Sequence, residues 1–344
     1  MKRSKLLAVC FTSTLVIPFV LSAALAEVST DEPAAMLVFP KIIHDASQDT
    51  IVQISNATGT RIFARCFYIN GAFDPDTEEP SWSITDFQLH LTKLQPTFWV
   101  GGTGLPVVPP DNRPTELYPG PVPPIGIGFE GELRCVVVND SEVPISRNAL
   151  TGEATIINTV TGSTTKYRAV GIRGLPGNNG DNTLLLNEVE YTRCPRVLLL
   201  NHFFDDAPDP VMSGQITSSL TFVPCSTDIE HGVPGTANLI FDVYNEFEQR
   251  LSGSMQVTCF TDVDLSSIDG LADRTRSIFN FAMQGTLVGQ TRIRPSPDAS
   301  TQAGHGVLAI AEEFRNNRSI GAAINLHFIG GALQSDVFEI PEPF

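Results

Sequence analysis

The sequence predicts an all-β fold, arranged as two tandem antiparallel β-sandwiches of the immunoglobulin-like kind, and three observations predict it. Apolar residues alternate with polar ones over short runs bounded by Gly, Pro, Asn and Asp, and no 3.6-residue stripe persists for more than a few turns. A set of short landmarks recurs in the same order in the second half, which reads as an internal duplication. The first copy alone carries a proline-rich insertion between its last two landmarks, as expected for a surface loop between strands.

The chain opens with Lys2, Arg3 and Lys5, then an apolar stretch from Leu6 to about Leu21, then Ala24-Leu25-Ala26. This is the pattern of a secretory signal peptide cleaved after residue 26. Beyond it no apolar run reaches the length of a membrane-crossing helix. Acidic residues number 38 against 22 basic ones, and the leader holds three of the basic ones. Lys41, Lys93 and Lys166 are the only lysines that remain. A surface of that sign repels phosphate backbones and anionic lipid, so nucleic-acid binding is set aside.

Residues 27–190 read as the first sandwich, 191–215 as a linker and 216–344 as the second sandwich. In RIFARCFYIN (61–70), period-two alternation places Ile62, Ala64, Cys66 and Tyr68 on one face and Phe63, Arg65, Phe67 and Ile69 on the other. MQVTCFTD (255–262) repeats the pattern around Cys259. VFPK (38–41) matches FVPC (222–225), VQISN (52–56) matches FDVYN (241–245), FQLHL (87–91) matches FNFAM (279–283), and GELRC (131–135) matches GVLAI (306–310). Eight prolines between Pro106 and Pro124 make residues 101–128 a long, polyproline-leaning loop. Few core positions are expected in it, so a Gly-Ser linker in place of residues 105–124 is expected to leave both sandwiches folded. The linker stretch contains NHFFDDAPDP, in which proline flanks Asp209 on both sides.

The segments LTGEATI, TRCPRVLLLNHFFDDAPDPV, LTFVPCS, YNEFEQ, VTCF, QTRIRP and HGVLAIAEEF together resemble a family of secreted bacterial proteins with tandem β-sandwich halves. The resemblance spans most of the mature chain. It implies the exported compartment and the paired halves, and it implies no activity.

Five cysteines follow the leader, none in C-x-x-C spacing, and an exported chain favours disulfides over metal or redox roles. Within each copy the pairs expected are Cys66 with Cys135, closing a loop of roughly 70 residues worth ~4 kcal/mol, and Cys225 with Cys259. Cys194 is left over. Asp262, Asp264, Ser266 and Asp273, with Asp269 nearby, occupy oxygen-ligand positions of a calcium-loop template. Ser267 stands where the template needs glycine, so Ca2+ is a weak candidate at Asp262, Asp264, Asp269 and Asp273. Asp74, Asp76, Glu78 and Glu79 form a second oxygen-rich loop, and His202 with Asp205, Asp206 and Asp209 an imidazole–carboxylate group without a second histidine at ligand spacing.

Trp99 adjoins the proline-rich loop and Tyr118 lies within it; both are candidate anchors for a partner. No nucleophile elbow, zincin or phosphate-loop motif is present. The leading functional expectation is therefore a secreted, non-catalytic protein at the cell exterior that binds a protein partner or assembles with itself. The alternative is a loop-sited hydrolase or carbohydrate-binding module, because such folds host either.

Overall fold

A computed structural model describes residues 28–74, 79–109, 114–296, 305–331 and 335–343. The expected leader, residues 1–26, lies outside the described residues. The chain is all-β: strand makes up 56 % of it. Among the described residues, α-helix is confined to the turn Phe281–Gln284, which begins where the Asn280 side chain accepts from Ala282 N and ends at Gly285, φ +68°.

Among the described residues the strands form five main sheets and a two-stranded ribbon, Phe73–Asp74 with Glu79–Pro80. The first runs in the order Val170–Ile172, Met36–His44, Phe129–Val138, Ile62–Asn70, Ser83–Leu91. The second runs Thr164–Arg168, Leu150–Asn158, Gln48–Asn56, Pro96–Val100. The third has three short strands, Thr183–Leu186, Asp336–Glu339 and Thr227–Asp228. The fourth runs Arg250–Thr258, Thr236–Asn245, Val288–Pro295, Pro195–Phe203, His327–Gly331. The fifth contains Ala207–Pro208, Gln215–Pro224, Val307–Arg315 and Ile320–Asn325, with Thr261–Asp264 also paired to Gln215–Pro224.

These sheets are arranged as a five-bladed β-propeller, which corrects the expectation of two tandem immunoglobulin-like sandwiches. The reason is visible in what covers the first sheet. A sheet of an isolated sandwich buries one face and leaves the other to solvent. Here Ala64, Cys66 and Tyr68 enter one core with Val52, Ile54 and Trp99 of the second sheet. Phe67 and Ile69, on the opposite face, enter another core with Val223, Leu308 and Phe338 from the far end of the chain. A third core lies around Phe222, Phe241 and Phe279.

Burying both faces forces the arginine in RIFARCFYIN to find partners inside. Arg65 donates to Asp86 Oδ2 at 3.0 Å and to the Pro341 carbonyl at 2.5 Å. Arg134, on the neighbouring strand, makes a bidentate pair with Glu132 at 2.9 Å, donates to the carbonyls of Pro224 and Cys225, and lies over the Phe338 ring. Guanidinium groups suit this position because their donors are spread across a plane that can serve several acceptors.

Within the expected linker, residues 195–203 form an interior strand of the fourth sheet, between Val288–Pro295 and His327–Gly331. The third sheet takes strands from both sides of residues 191–215. The match of FQLHL with FNFAM fails in detail. FQLHL lies in the strand Ser83–Leu91, whereas FNFAM supplies buried Phe279, the capping Asn280 and the helical turn.

Cys66 and Cys135 stand directly opposite each other on paired antiparallel strands, and a disulfide joins them. The second disulfide is Cys194–Cys225, which corrects the expected Cys225–Cys259 pair. Cys259 follows the strand Arg250–Thr258 in a left-handed turn, φ +59°, with its Sγ directed at the Asn70 carbonyl. It is a buried free thiol, and burial pushes its pKa up to about 12.

Candidate functional site

The proline-rich segment is anchored at several points. Leu105 and Val122 bridge across it, Ile125 N donates to the Gly101 carbonyl, and Thr115–Leu117 form a short 3-10 turn. Gly104 has φ +61°, and a Cβ there would lie 2.0 Å from the Val122 carbonyl oxygen, so the crossing needs glycine. Val122 and Ile125 enter the core shared by the first two sheets. The segment is thus partly core, contrary to the expectation that residues 105–124 are dispensable.

Both expected anchors point inward. Trp99 is 1 % exposed; its Nε1 donates to Tyr68 Oη at 2.5 Å and its ring meets Phe87 edge-on. Trp99 is paired across the strands with core residue Val52, which fixes the face it shares. Tyr118 is buried, and its hydroxyl donates to the Pro106 carbonyl, bracing the loop. What the segment presents outward is aliphatic: Val107 is 80 %, Val108 75 % and Ile127 78 % exposed, with Leu117 also exposed; Phe98, on the adjoining strand, is exposed too. Adjacent aromatic residues on a strand face opposite ways, and in FW it is Phe98 that faces solvent.

The calcium-loop carboxylates do not converge. Asp262 accepts from Lys41 Nζ at 2.6 Å and from Thr221 Oγ1 at 2.7 Å. Asp264 pairs with Arg274 at 2.9 Å. Asp269 accepts from Ile278 N, and Asp273 caps the turn Arg274–Arg276 through Thr275 N. Each carboxylate serves a different local donor, and the four are not brought together as one ligand set. In the second acidic loop, Asp74 lies in the short strand Phe73–Asp74, while Asp76 and Glu78 lie outside the described residues.

Lys41 is the residue that spacing alone did not single out. Pro40 cannot donate to the ladder, and the pairing with Phe129–Val138 slips between Phe39 and Ile42. Lys41 N donates to Tyr167 Oη, which in turn donates to the Lys41 carbonyl, so one phenol satisfies the bulged backbone. The side chain runs to the fifth sheet, where Nζ lies 2.6 Å from both Asp262 Oδ2 and Glu312 Oε2. Thr165 Oγ1 completes Glu312 at 2.6 Å. Burial alone would lower the lysine's pKa, but the two carboxylates outweigh it and hold it above the usual lysine value. A lysine kept protonated in this way is a structural tie and not a nucleophile. The recoverable signal was VFPKII: a lone lysine behind a proline within an apolar strand.

The imidazole–carboxylate group disperses as well. Asp205 accepts from Ser218 N and from Ser266 N and Oγ, Asp206 from Asn280 Nδ2, and Asp209 from Val211 N, Met212 N and Arg315. His202 packs against Phe204 and Phe279, with its ring nitrogens on the Phe203 carbonyl and Thr291 Oγ1. Burial outweighs the carbonyl hydrogen bond and lowers its pKa to about 4.

That shift predicts acid destabilisation. The unfolded chain takes up the His202 proton near 6.5, whereas the folded protein does so only near 4, so stability falls as pH drops through this window. The loss is expected to approach about 3 kcal/mol at the acid end. His305 works in the opposite sense: its hydrogen bond to Asp336 raises its pKa, so its stabilisation is present below the ordinary histidine range and fades as pH rises through the folded value. The measurement is therefore a comparison of urea midpoints at pH 7.5 and 4.5 for the native chain and His202→Gln. The variant is expected to lose less on acidification; equal losses would exclude His202 as the source.

No helix among the described residues is long and apolar enough to cross a membrane. No protein-family model matches the chain, and no curated protein does.

Proposed function

We propose that the protein is a non-catalytic structural or partner-binding component of the bacterial cell exterior, with the proline-rich segment as its contact element. The exposed aliphatic side chains of Val107, Val108 and Ile127, all on this segment, carry this reading. Surface side chains of this kind gain free energy when a partner removes them from water. A segment already stiffened by proline and anchored by Tyr118 also loses little entropy on docking. The all-β propeller architecture is compatible, because propellers often serve as interaction scaffolds. Two disulfides, the leader pattern and the resemblance to secreted proteins support an oxidising, exported location.

The test is a triple substitution, Val107→Ser, Val108→Ser and Ile127→Ser, in the full chain. Thermal unfolding is expected to stay within about 1 °C, since exposed substitutions seldom change stability by more than ~0.5 kcal/mol. Self-association in sedimentation velocity, or retention on the producing cell's surface, is expected to weaken about tenfold or more, equivalent to ~1.4 kcal/mol or more of association free energy. If the variant associates and is retained as the native chain is, the segment is not the contact element.

A further inference from the structure

We propose that Asp228, His231 and Glu339 form a binding site for a divalent transition-metal ion, with Zn2+ as the best-matched species. The third sheet creates the arrangement. Thr227–Asp228 runs parallel to the last strand, Asp336–Glu339, so that Asp228 and Glu339 are cross-strand neighbours. The chain then turns back: His231 N donates to Asp228 Oδ1 at 2.8 Å, which brings His231 Nδ1 to 2.9 Å from Asp228 Oδ2. One ligating atom from each of the three residues lies within 4.8 Å of the other two.

Two further observations point to a cation. The adjoining cleft, about 390 Å³, is lined by Asp181, Glu230, Glu339 and Glu342 with no lysine or arginine. On the wall of the same cleft, Asn182 Oδ1 is a buried oxygen with no hydrogen-bond partner among the described residues. The Asn182 carbonyl accepts from Ile340 N, which places that residue beside Glu339.

The donor set selects the metal class. One imidazole with two carboxylates suits Zn2+ or Mn2+ at ligand distances near 2.0–2.2 Å, whereas Ca2+ and Mg2+ favour all-oxygen shells. The imidazole must lose its proton to coordinate through Nδ1, so binding releases protons and weakens in acid. A bound ion would also fasten the final strand to residues 227–231. Local spacing offers little notice of the site, since its carboxylates are more than a hundred residues apart and meet only through sheet pairing.

The experiment is isothermal titration of the full chain, freed of metal by chelation and dialysis, with ZnCl2 at pH 7.5 and 5.5, with CaCl2 titrated for comparison. A single saturable Zn2+ site is expected, weaker at the lower pH and absent or much weaker for Ca2+. His231→Ala and Glu339→Gln are each expected to weaken it at least about tenfold. His327→Ala, an exposed histidine on the fourth sheet, is expected to leave it unchanged. Zn2+ is also expected to raise the melting temperature of the native chain and not that of His231→Ala, which shows that a folded variant lacks the site. Failure of Zn2+ to bind saturably, equal affinity in the native chain and both ligand variants, or Ca2+ binding that His231→Ala leaves intact would overturn the proposal.

Discussion

Lys41→Ala is expected to lower the unfolding free energy by about 3–5 kcal/mol, the usual cost of stranding a buried charge. Glu312 is almost wholly inaccessible, and without the lysine its carboxylate keeps only the hydroxyl of Thr165 while facing Asp262 nearby. The native tie is itself insensitive to pH over the neutral range. Its lysine is held above the ordinary value, so its contribution is complete below that value and is lost only as pH rises through the folded one. Urea unfolding at neutral pH measures the loss. A companion variant, Lys41→Met with Glu312→Leu, removes both buried charges together and is expected to recover most of the loss. A cost below about 1 kcal/mol for Lys41→Ala would mean that water already solvates the cluster.

Removing the second disulfide by Cys194→Ala with Cys225→Ala is expected to cost about 4 kcal/mol. The two residues are separated by 31 positions, and releasing that loop restores entropy to the unfolded chain. Cys259→Ala should cost far less, since it removes a buried thiol that bonds no other sulfur. Non-reducing peptide mapping separates the two pairings directly. A Cys194–Cys225 peptide is expected, with Cys259 modified by alkylating agents only after unfolding, because burial keeps its thiol protonated. A native digest that yielded Cys225 joined to Cys259 would sink the assignment.

The all-β class was legible in local alternation, and so was the separation of faces in RIFARCFYIN: Ala64, Cys66 and Tyr68 share one core, Phe67 and Ile69 another. The architecture was not legible, because alternation says which residues share a face and nothing about what lies above it. Two faces that both carry apolar residues can belong to one sheet covered twice, as Val223, Leu308 and Phe338 show by covering the outer side of the first sheet. The landmarks misled for a related reason. FNFAM has the apolar spacing of a strand, yet Asn280 and Gly285 supply the start and stop of a helical turn, and short apolar runs fit either form.

The candidate site shows the same division. Trp99 adjoins a long loop and Tyr118 lies within it, but a large aromatic side chain near a loop gains most by packing inward when a hydroxyl or carbonyl is there to take its polar atom. The carboxylates from Asp262 to Asp273 looked like one ligand set because they are close in sequence. In the fold they answer to Lys41, Arg274, Ile278 and Thr275.

By itself, the sequence determined what the backbone pleat and side-chain chemistry fix within a few residues: strand character, the faces of each strand, the rigidity of the proline-rich segment and an acidic surface. Only the tertiary structure decided the five-bladed arrangement, the partner of Cys225, the burial of Trp99 and the meeting of Lys41 with Asp262 and Glu312, 221 and 271 residues away. Those outcomes depend on which distant surface excludes water from a given face, and the free energy of that burial leaves no periodic trace in the chain.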